Sequence, residues 1–353
     1  MLCCPLGLDV SVSDASSRDM SLDMCELTIG SGAGRALPTR VAILVFLLSG
    51  FFLASLVDFL PMKGLALQSA KSEKNTQEEV RPYLEEPMKQ LTKRIPELRG
   101  IRPVEDQQAL PMILEKTGKE VDQFFDSVVD LEANEEIRQE RLSGYGSSRK
   151  SEPIRDNYLI LRHGDADRED FDEFRMDDKG NRLSAQDFGR GFLVTSGFAL
   201  ICMQFSAAHQ WDSRFRYLGE QKIAGRQTYV VAYAQIPGEA SLTITLTGPG
   251  GKAYEMLTQG IAWVDEENFH VVRMRTDLLT RQPDSGLEKQ TTKVDFSEVR
   301  FADIATPLWL PRDVNVDVKL GKTAERFVEV EFRNVHRYTD YRRYRVNTKI
   351  VSP

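Results

Sequence analysis

Hydrophobic and polar residues alternate with a period of two through much of the chain after residue 135. In 241–247, Leu242, Ile244 and Leu246 alternate with threonines. A strand with one apolar face is typical of an antiparallel sheet that is covered on one side. The pattern predicts roughly ten strands. The clearest of them lie at 135–142, 156–163, 171–177, 241–247 and 313–318, and in a hairpin at 262–278.

Three other segments have the helical period. Residues 82–98 carry apolar side chains at helical spacing but contain Pro87 and Pro96, which predicts short or kinked helical pieces. Residues 104–129 carry one apolar stripe, and 197–208 form a shorter apolar segment. Such a stripe must be buried against something, and the sheet is the available partner.

Turn residues place two hairpins. In 217–236, two strand-like runs flank a small turn at 224–226, and in 262–278 the turn is the acidic stretch 265–268. Residues 229–236 are apolar on both faces, which indicates a strand in the interior of the sheet.

A further strand changes phase within its length. Val294 and Phe296 are out of phase with Val299 and Phe301, so we expect a bulge or bend near residues 297–298. Together these elements indicate an α+β fold, in which a few helices cover a curved antiparallel sheet.

The N-terminus follows a different pattern. Residues 41–57 contain no charged side chain, Arg35 and Arg40 precede them, and Gly64 and Ala66 could form a small-residue cleavage site. This is typical of a secretory signal peptide. An uncleaved membrane anchor is the alternative, because the length is on the border between the two.

These observations divide the chain and locate it. We expect an N-terminal extension with signal peptide or membrane anchor at 1–66, a polar linker at 67–81 and a single α+β domain at 82–353, with a helical layer at 82–130 and the sheet at 135–351. Export to the periplasm or cell envelope follows, or anchoring to the inner membrane by 41–60 if cleavage does not occur.

Candidate chemistry changes this picture little. The net charge of -7 is not typical of a nucleic-acid-binding protein. Cys202 is the cysteine that follows residue 66, and its apolar neighbours predict a buried, inert thiol. The four histidines lack zinc-ligand spacing, and the acidic run 165–173 lacks the pattern of a calcium loop. We therefore expect no cofactor and no metal.

The sequence lacks two common enzyme motifs, the phosphate-binding loop and the nucleophile elbow. The glycine-rich stretch 247–254 lacks the spacing of a phosphate-binding loop, and the chain has no Gly-x-Ser-x-Gly elbow. A Ser-His-Asp triad assembled in space stays open, since its members need not be neighbours in sequence.

The C-terminal stretch 332–346 mixes arginines with aromatic residues. Such a mixture can bind single-stranded nucleic acid or anionic lipid headgroups. The interpretation that we favour is a pair of strands whose arginines form ion pairs with acids on neighbouring strands.

Three stretches resemble one known family. They are "YLGEQKIAGRQTYVV", "IAWVDEENFHVVRM" and "VDFSEVRFADIATPLWLPRDVNVDV", which span about residues 213–320. Their order is similar to that of exported lipoprotein carriers of the LolA/LolB type, whose fold is shared by the sensor domain of RseB-like regulators. The resemblance implies an unclosed barrel with helices along its open concave face. The chain as a whole also resembles a group of uncharacterised exported bacterial proteins.

The preferred hypothesis is therefore an exported, non-enzymatic protein that holds a lipid, an acyl chain or a lipidated partner in an apolar concave sheet. The residues expected to line the cavity or its lid are Leu114, Phe124, Phe125, Tyr229, Val231, Tyr233 and Trp263. A filled core made of the same residues is equally compatible with the pattern. The alternatives are an envelope module that binds protein through a sheet edge and, third, an enzyme of unknown type.

Overall fold

The α-helices are shorter than their sequence patterns. Prolines lie at both ends of α1 and at the beginning of α2. In the computed structural model, α1 spans Met88–Arg94, follows Pro87 and ends before the 3₁₀ turn Pro96–Leu98. The prediction of short helical pieces is confirmed. Helix α2 spans Leu110–Ser127 rather than 104–129, because Pro111 is tolerated only in the first turn of a helix.

The structure describes residues 26–31, 82–127, 130–143, 148–150, 152–165, 168–183, 194–195, 197–247, 253–281, 286–322 and 329–343. The apolar run 41–57, the cleavage site and the linker 67–81 lie outside these residues. Within the described residues, no helix combines the length and the apolar character that crossing a bilayer requires.

Strands make up most of the described chain. Their bounds are β1 Glu26–Ser31, β2 Arg102–Pro103, β3 Leu131–Ser143, β4 Ser148–Lys150, β5 Ile154–Asp165, β6 Arg168–Met176, β7 Arg182–Leu183, β8 Val194–Thr195, β9 Ser213–Ile223, β10 Arg226–Gln235, β11 Leu242–Thr247, β12 Ala253–Met256, β13 Thr258–Asp265, β14 Val271–Leu278, β15 Leu287–Val299, β16 Leu308–Leu320 and β17 Val330–Arg343. Two further 3₁₀ segments, Ala199–Phe205 and Gln210–Asp212, precede β9.

The main sheet is antiparallel and open. Its order over the described strands is β2-β9-β10-β13-β14-β15-β16-β17-β3-β5-β6-β7, with β4 beside β3. The N-terminal strands β3 to β7 therefore continue the sheet from its last strand, β17. The fold class predicted from the sequence, an α+β fold with an unclosed, curved antiparallel sheet, is confirmed.

A second, smaller sheet has the order β12-β11-β1-β8. The sequence prediction included β11 in the main sheet, but the structure pairs β10 directly with β13 and leaves β11 outside it. Strand β1 pairs antiparallel with β11 over six residues, so Glu26–Ser31 is part of a sheet in this structure.

The two faces of the main sheet carry separate cores. On one face, a single cluster joins α2 and Ala199–Phe205 to strands at both ends of the sheet; Phe125 of α2 contacts Phe171 of β6, and Phe205 contacts Phe215 of β9. This is the concave face, because only a curved sheet lets one 18-residue helix contact both β9 and β6, which lie near opposite ends of the strand order. Helix α1 packs on the other face.

That placement corrects the expectation of one helical layer at 82–130, because its two helices lie on opposite faces of the sheet. Leu91, Ile95 and Leu98 are fully buried against Val230 and Ile261, which point to the convex side. Strand β10 is buried on both faces over most of its length, as its two-sided apolar pattern predicts for an interior strand.

The β9–β10 hairpin shows why its short motifs have their composition. Ala224 and Gly225 have φ angles of 47° and 90°, so the turn predicted at 224–226 needs a residue such as glycine. Gly219 ends the Tyr-Leu-Gly motif with φ 138°, and a Cβ there would collide with the carbonyl of Arg102 in β2. The glycine therefore lets β2 pair at the edge of the sheet.

The phase change in β15 also has a structural cause. The register of β15 against β16 shifts between Asp295 and Phe296, two residues before the predicted site, and the extra residue is Arg312 on β16. The irregularity lies beside the cavity described next.

Candidate functional site

A half-open cavity of about 200 Å³ lies between the C-terminal half of α2 and the concave face. This exceeds by far the roughly 10–15 Å³ that one water molecule needs. Its lining comprises Glu120, Val121, Gln123, Phe124, Asp126, Ser127, Cys202, His270, Val271, Phe296, Thr306, Pro307, Leu308 and Trp309.

The floor and walls of this cavity are apolar. Val121 and Phe124 come from α2, while Val271, Phe296 and Leu308 come from the start of β14, the end of β15 and the start of β16. Aromatic and aliphatic walls of this kind bind hydrocarbon without a hydrogen-bonding partner.

The rim is polar. Glu120, Gln123 and Asp126 of α2 lie along it, together with His270 and Thr306. The Nδ1 atom of His270 is 3.8 Å from Oε2 of Glu120. Burial lowers the pKa of His270 and raises the pKa of Glu120. The imidazole is therefore neutral at neutral pH and does not balance the negative charge of Glu120.

Trp309 forms one wall of the cavity, and its ring contacts His270 and Arg226. The ring of His270 stacks on it with centroids 5.6 Å apart, and the guanidinium carbon of Arg226 lies 5.0 Å from its centroid. Arg226 in turn donates from Nη1 to Asp265 at 3.0 Å. These contacts fix the indole and pre-form the wall.

The turn between β13 and β14 is held beneath α2 by Phe269. This residue has φ 59°, a left-handed conformation that is unusual for a bulky side chain. Its ring stacks on Tyr229 at 6.0 Å, and Nζ of Lys116 lies 4.6 Å from its centroid. The acidic composition of 265–268 predicts a turn, but nothing in the sequence indicated this role of Phe269.

The seven residues proposed from the sequence are distributed over both cores. Phe124 lines the cavity. Leu114, Phe125, Tyr229, Val231 and Tyr233 belong to the core of the concave face without lining the cavity. Trp263 is fully buried in the convex-face core with Leu91. Tyr233 is 1% exposed and pairs through its hydroxyl with Thr276 at 3.1 Å, which is the environment of a filled core.

Cys202 is a buried free cysteine, as its apolar neighbours predict. Its Sγ atom contacts the carbonyl of Ala199 at 3.3 Å, and burial raises the pKa of the thiol to about 12. The side chain is a piece of cavity wall with little thiolate character at neutral pH.

A second region of the concave face, on strands β17, β3, β5 and β6, holds buried charges. Glu135 is bound by Nε and Nη2 of Arg175 at 2.6 and 2.9 Å, by Nδ1 of His336 at 2.7 Å and by the hydroxyl of Tyr338 at 2.7 Å. Asp156 lies directly opposite Glu135 in the sheet. We call these five residues the Glu135 cluster.

Their electrostatics follow from burial and pairing. Burial alone would raise the pKa of Glu135, but Arg175 and His336 lower it well below its usual range. Burial, followed by the charge of Glu135, raises the pKa of Asp156 to about 8. The cluster therefore holds one carboxylate and one carboxylic acid at neutral pH. The sequence signal for this burial is that Glu135 shares the phase of the apolar residues Leu131, Ala133 and Ile137.

One Ser-His-Asp set does assemble in space. Ser241 Oγ is 2.9 Å from His209 Nδ1 and donates to Oδ2 of Asp212 at 2.5 Å. In a catalytic triad the aspartate binds the imidazole nitrogen that faces away from the serine. Here Asp212 instead binds the serine and also its backbone N–H at 2.7 Å. The arrangement anchors the turn before β11.

The arginines of β17 form ion pairs with acids on other segments, as predicted, but the described part of this stretch is one strand and not the predicted pair. Arg333 binds Asp317 at 2.7 Å, Arg337 binds Asp313 at 3.4 Å, Arg342 binds Glu132 at 3.3 Å and Arg343 binds Asp303 at 2.8 Å. Among the side chains that the structure describes, no three His, Cys, Asp or Glu residues are grouped as metal ligands. Residues 166–167 of the acidic run lie outside the described residues.

Neither the protein-family models nor the curated proteins match this sequence. Among solved structures, a DUF1329 family protein from Desulfovibrio piger is 13% identical, with a TM-score of 0.31 over 68% of this chain and 94% of that one.

Two other matches carry lipoprotein-related names. A protein from Vibrio parahaemolyticus described as an outer membrane lipoprotein-sorting domain is 11% identical, with a TM-score of 0.30 over 67% of this chain and 94% of its own. A LolA superfamily protein from Nitrosomonas europaea is 15% identical, with a TM-score of 0.29 over 69% and 97%. The family resemblance drawn from the sequence motifs appears again here, and it is a likeness of fold.

Proposed function

We propose that the protein is a non-enzymatic binding protein that holds a single alkyl or acyl chain in the cavity between α2 and the concave face. The observation that carries the proposal is the apolar wall formed by Phe124, Phe296, Leu308 and Trp309 around a space of about 200 Å³. Each methylene group moved from water into such a site contributes about 0.8 kcal/mol.

The cavity carries this proposal, whereas an interaction module would bind through a sheet edge. The path of described strands ends in β2 and β7, which pair with two residues each of the longer strands β9 and β6. The lipid or lipidated molecule and the exported location predicted from residues 41–57 belong to the same proposal.

The proposal is tested with an uncharged fluorescent alkyl probe. We expect saturable binding by the wild-type protein and loss of binding in Phe124→Asp, because a carboxylate in the wall would have to be desolvated by the chain. Phe124 is only partly buried, so the variant keeps its fold, which a thermal melt checks.

Leu114→Asp is the matched control. Leu114 lies on the same helix and is also partly buried, but it does not line the cavity. We expect this variant to bind the probe as the wild type does. Absence of probe uptake by the wild type, or equal loss in both variants, would contradict the proposed site.

A further inference from the structure

The rim of the cavity has a charge that its apolar wall does not explain. Glu120 and Asp126 are the ionisable acids among the described lining residues, and none of these lining residues is a lysine or arginine. His270, the remaining ionisable group on the rim apart from Cys202 deeper in the wall, is neutral at neutral pH because burial lowers its pKa. A bound chain would therefore place its polar end beside two carboxylates.

The basic residues near the rim lie outside the lining, although Arg162 contacts the backbone of Asp126 and Arg226 contacts the ring of Trp309. Lys116 lies over the ring of Phe269, Arg226 pairs with Asp265, and Nη1 of Arg162 donates to the backbone carbonyl of Asp126 at 3.1 Å. Lys119 is exposed on α2 and acts on Glu120 from outside the lining. None of these cations belongs to the lining.

We infer that the ligand of this cavity is a cationic amphiphile, an alkyl or acyl chain that ends in an amine or quaternary ammonium group. The inference rests on the function proposed above and adds the chemistry of the polar end. The chain occupies the apolar wall, while Glu120 and Asp126 attract the cation. The half-buried ring of Phe124 adds an aromatic face of the kind that binds ammonium groups. A free carboxylate at the same place is repelled.

The test uses three probes with the same alkyl chain and fluorophore, ending in trimethylammonium, a methyl ester and a carboxylate. We expect the ammonium probe to bind about tenfold more tightly than the ester, and the carboxylate more weakly than the ester. The differences in affinity among the three probes should decrease as ionic strength rises, because the rim is open to solvent.

Variants assign the effect to the rim. Glu120→Gln with Asp126→Asn should bring the ammonium and ester probes to equal affinity. Glu115→Gln removes a charge from an exposed position of α2 outside the lining and should preserve the wild-type order.

The outcomes separate the two proposals. If the ester probe binds but all three probes bind equally, or if the double variant keeps the ammonium preference, the inference about charge is overturned and the alkyl-binding function stands. If no probe of any charge binds, the proposed function itself fails.

Discussion

Beneath the C-terminal half of α2, the concave face leaves an apolar space open, whereas across β17, β3, β5 and β6 the same face closes over the Glu135 cluster. The walls of the cavity are apolar and need no hydrogen-bonding partner, so the cavity can be empty or filled. The Glu135 cluster binds a carboxylate with three side chains, and each contact depends on the others. The space that can bind and the cluster that fixes the fold thus lie on neighbouring groups of strands, β14 to β16 and β17 to β6, in one sheet.

The largest expected effect comes from breaking the Glu135 cluster. Arg175→Ala would leave the fully buried carboxylate of Glu135 without its bidentate partner, and we expect a loss of about 3–5 kcal/mol in the free energy of unfolding. Chemical denaturation measures it.

Arg333→Ala is the matched control. It removes an arginine from an exposed ion pair on the outer side of β17, with Asp317, and should cost less than about 1 kcal/mol. Similar losses in the two variants would show that burial does not distinguish the two ends of the comparison.

A medium effect is expected from the pH dependence of the Glu135 cluster. The folded-state pKa of Asp156, about 8, lies above its unfolded value of about 3.9. Between these values the folded state keeps a proton that the unfolded state has lost. The free energy of unfolding therefore falls as pH rises, by up to about 1.4 kcal/mol per pH unit, and levels off above pH 8.

The useful window is pH 6.5 to 8. Burial lowers the pKa of His336, His270 and His209, so these groups oppose the trend only below about pH 6.5. Denaturation curves at the two pH values should show a loss in the wild type and a nearly flat response in Asp156→Asn, while exposed Asp178→Asn keeps the wild-type loss. A wild-type slope in Asp156→Asn would assign the dependence to another group.

The smallest effect is expected from filling the cavity. Cys202→Leu adds volume at the cavity wall, and we expect the free energy of unfolding to stay within about 1 kcal/mol of the wild type while the alkyl probe is excluded. Val231→Leu adds only one methylene group, but it does so in the filled core and should cost about 1–3 kcal/mol. Equal costs would mean that the space near Cys202 is not available to a chain.

Strand alternation was enough to predict the sheet, its hairpins and the pairing of the C-terminal arginines. It could not tell which face would be concave. Trp263 shows why. Alternation places its side chain on one face of the sheet but does not reveal that α1 packs on that face. It also does not reveal the register shift between Trp263 and Val264.

The cavity lining and the Glu135 cluster differ in how many of their residues the sequence could identify. Phe124 was identified from the apolar stripe of α2, but the other cavity walls come from distant strand ends that only the fold brings together. Glu135 could have been noticed as an acid in an apolar phase, whereas its partner His336 lies 201 residues away.

That separation sets an order in time. Strand β3 occupies the sheet between β5 and β17, so the growing chain makes Glu135 long before the strand that will supply His336 and Tyr338. Until β17 emerges, β3 has no neighbour on one side and the carboxylate has only part of its shell. The first strands of the main sheet therefore wait for β17, and the sheet becomes continuous only after that strand has been made.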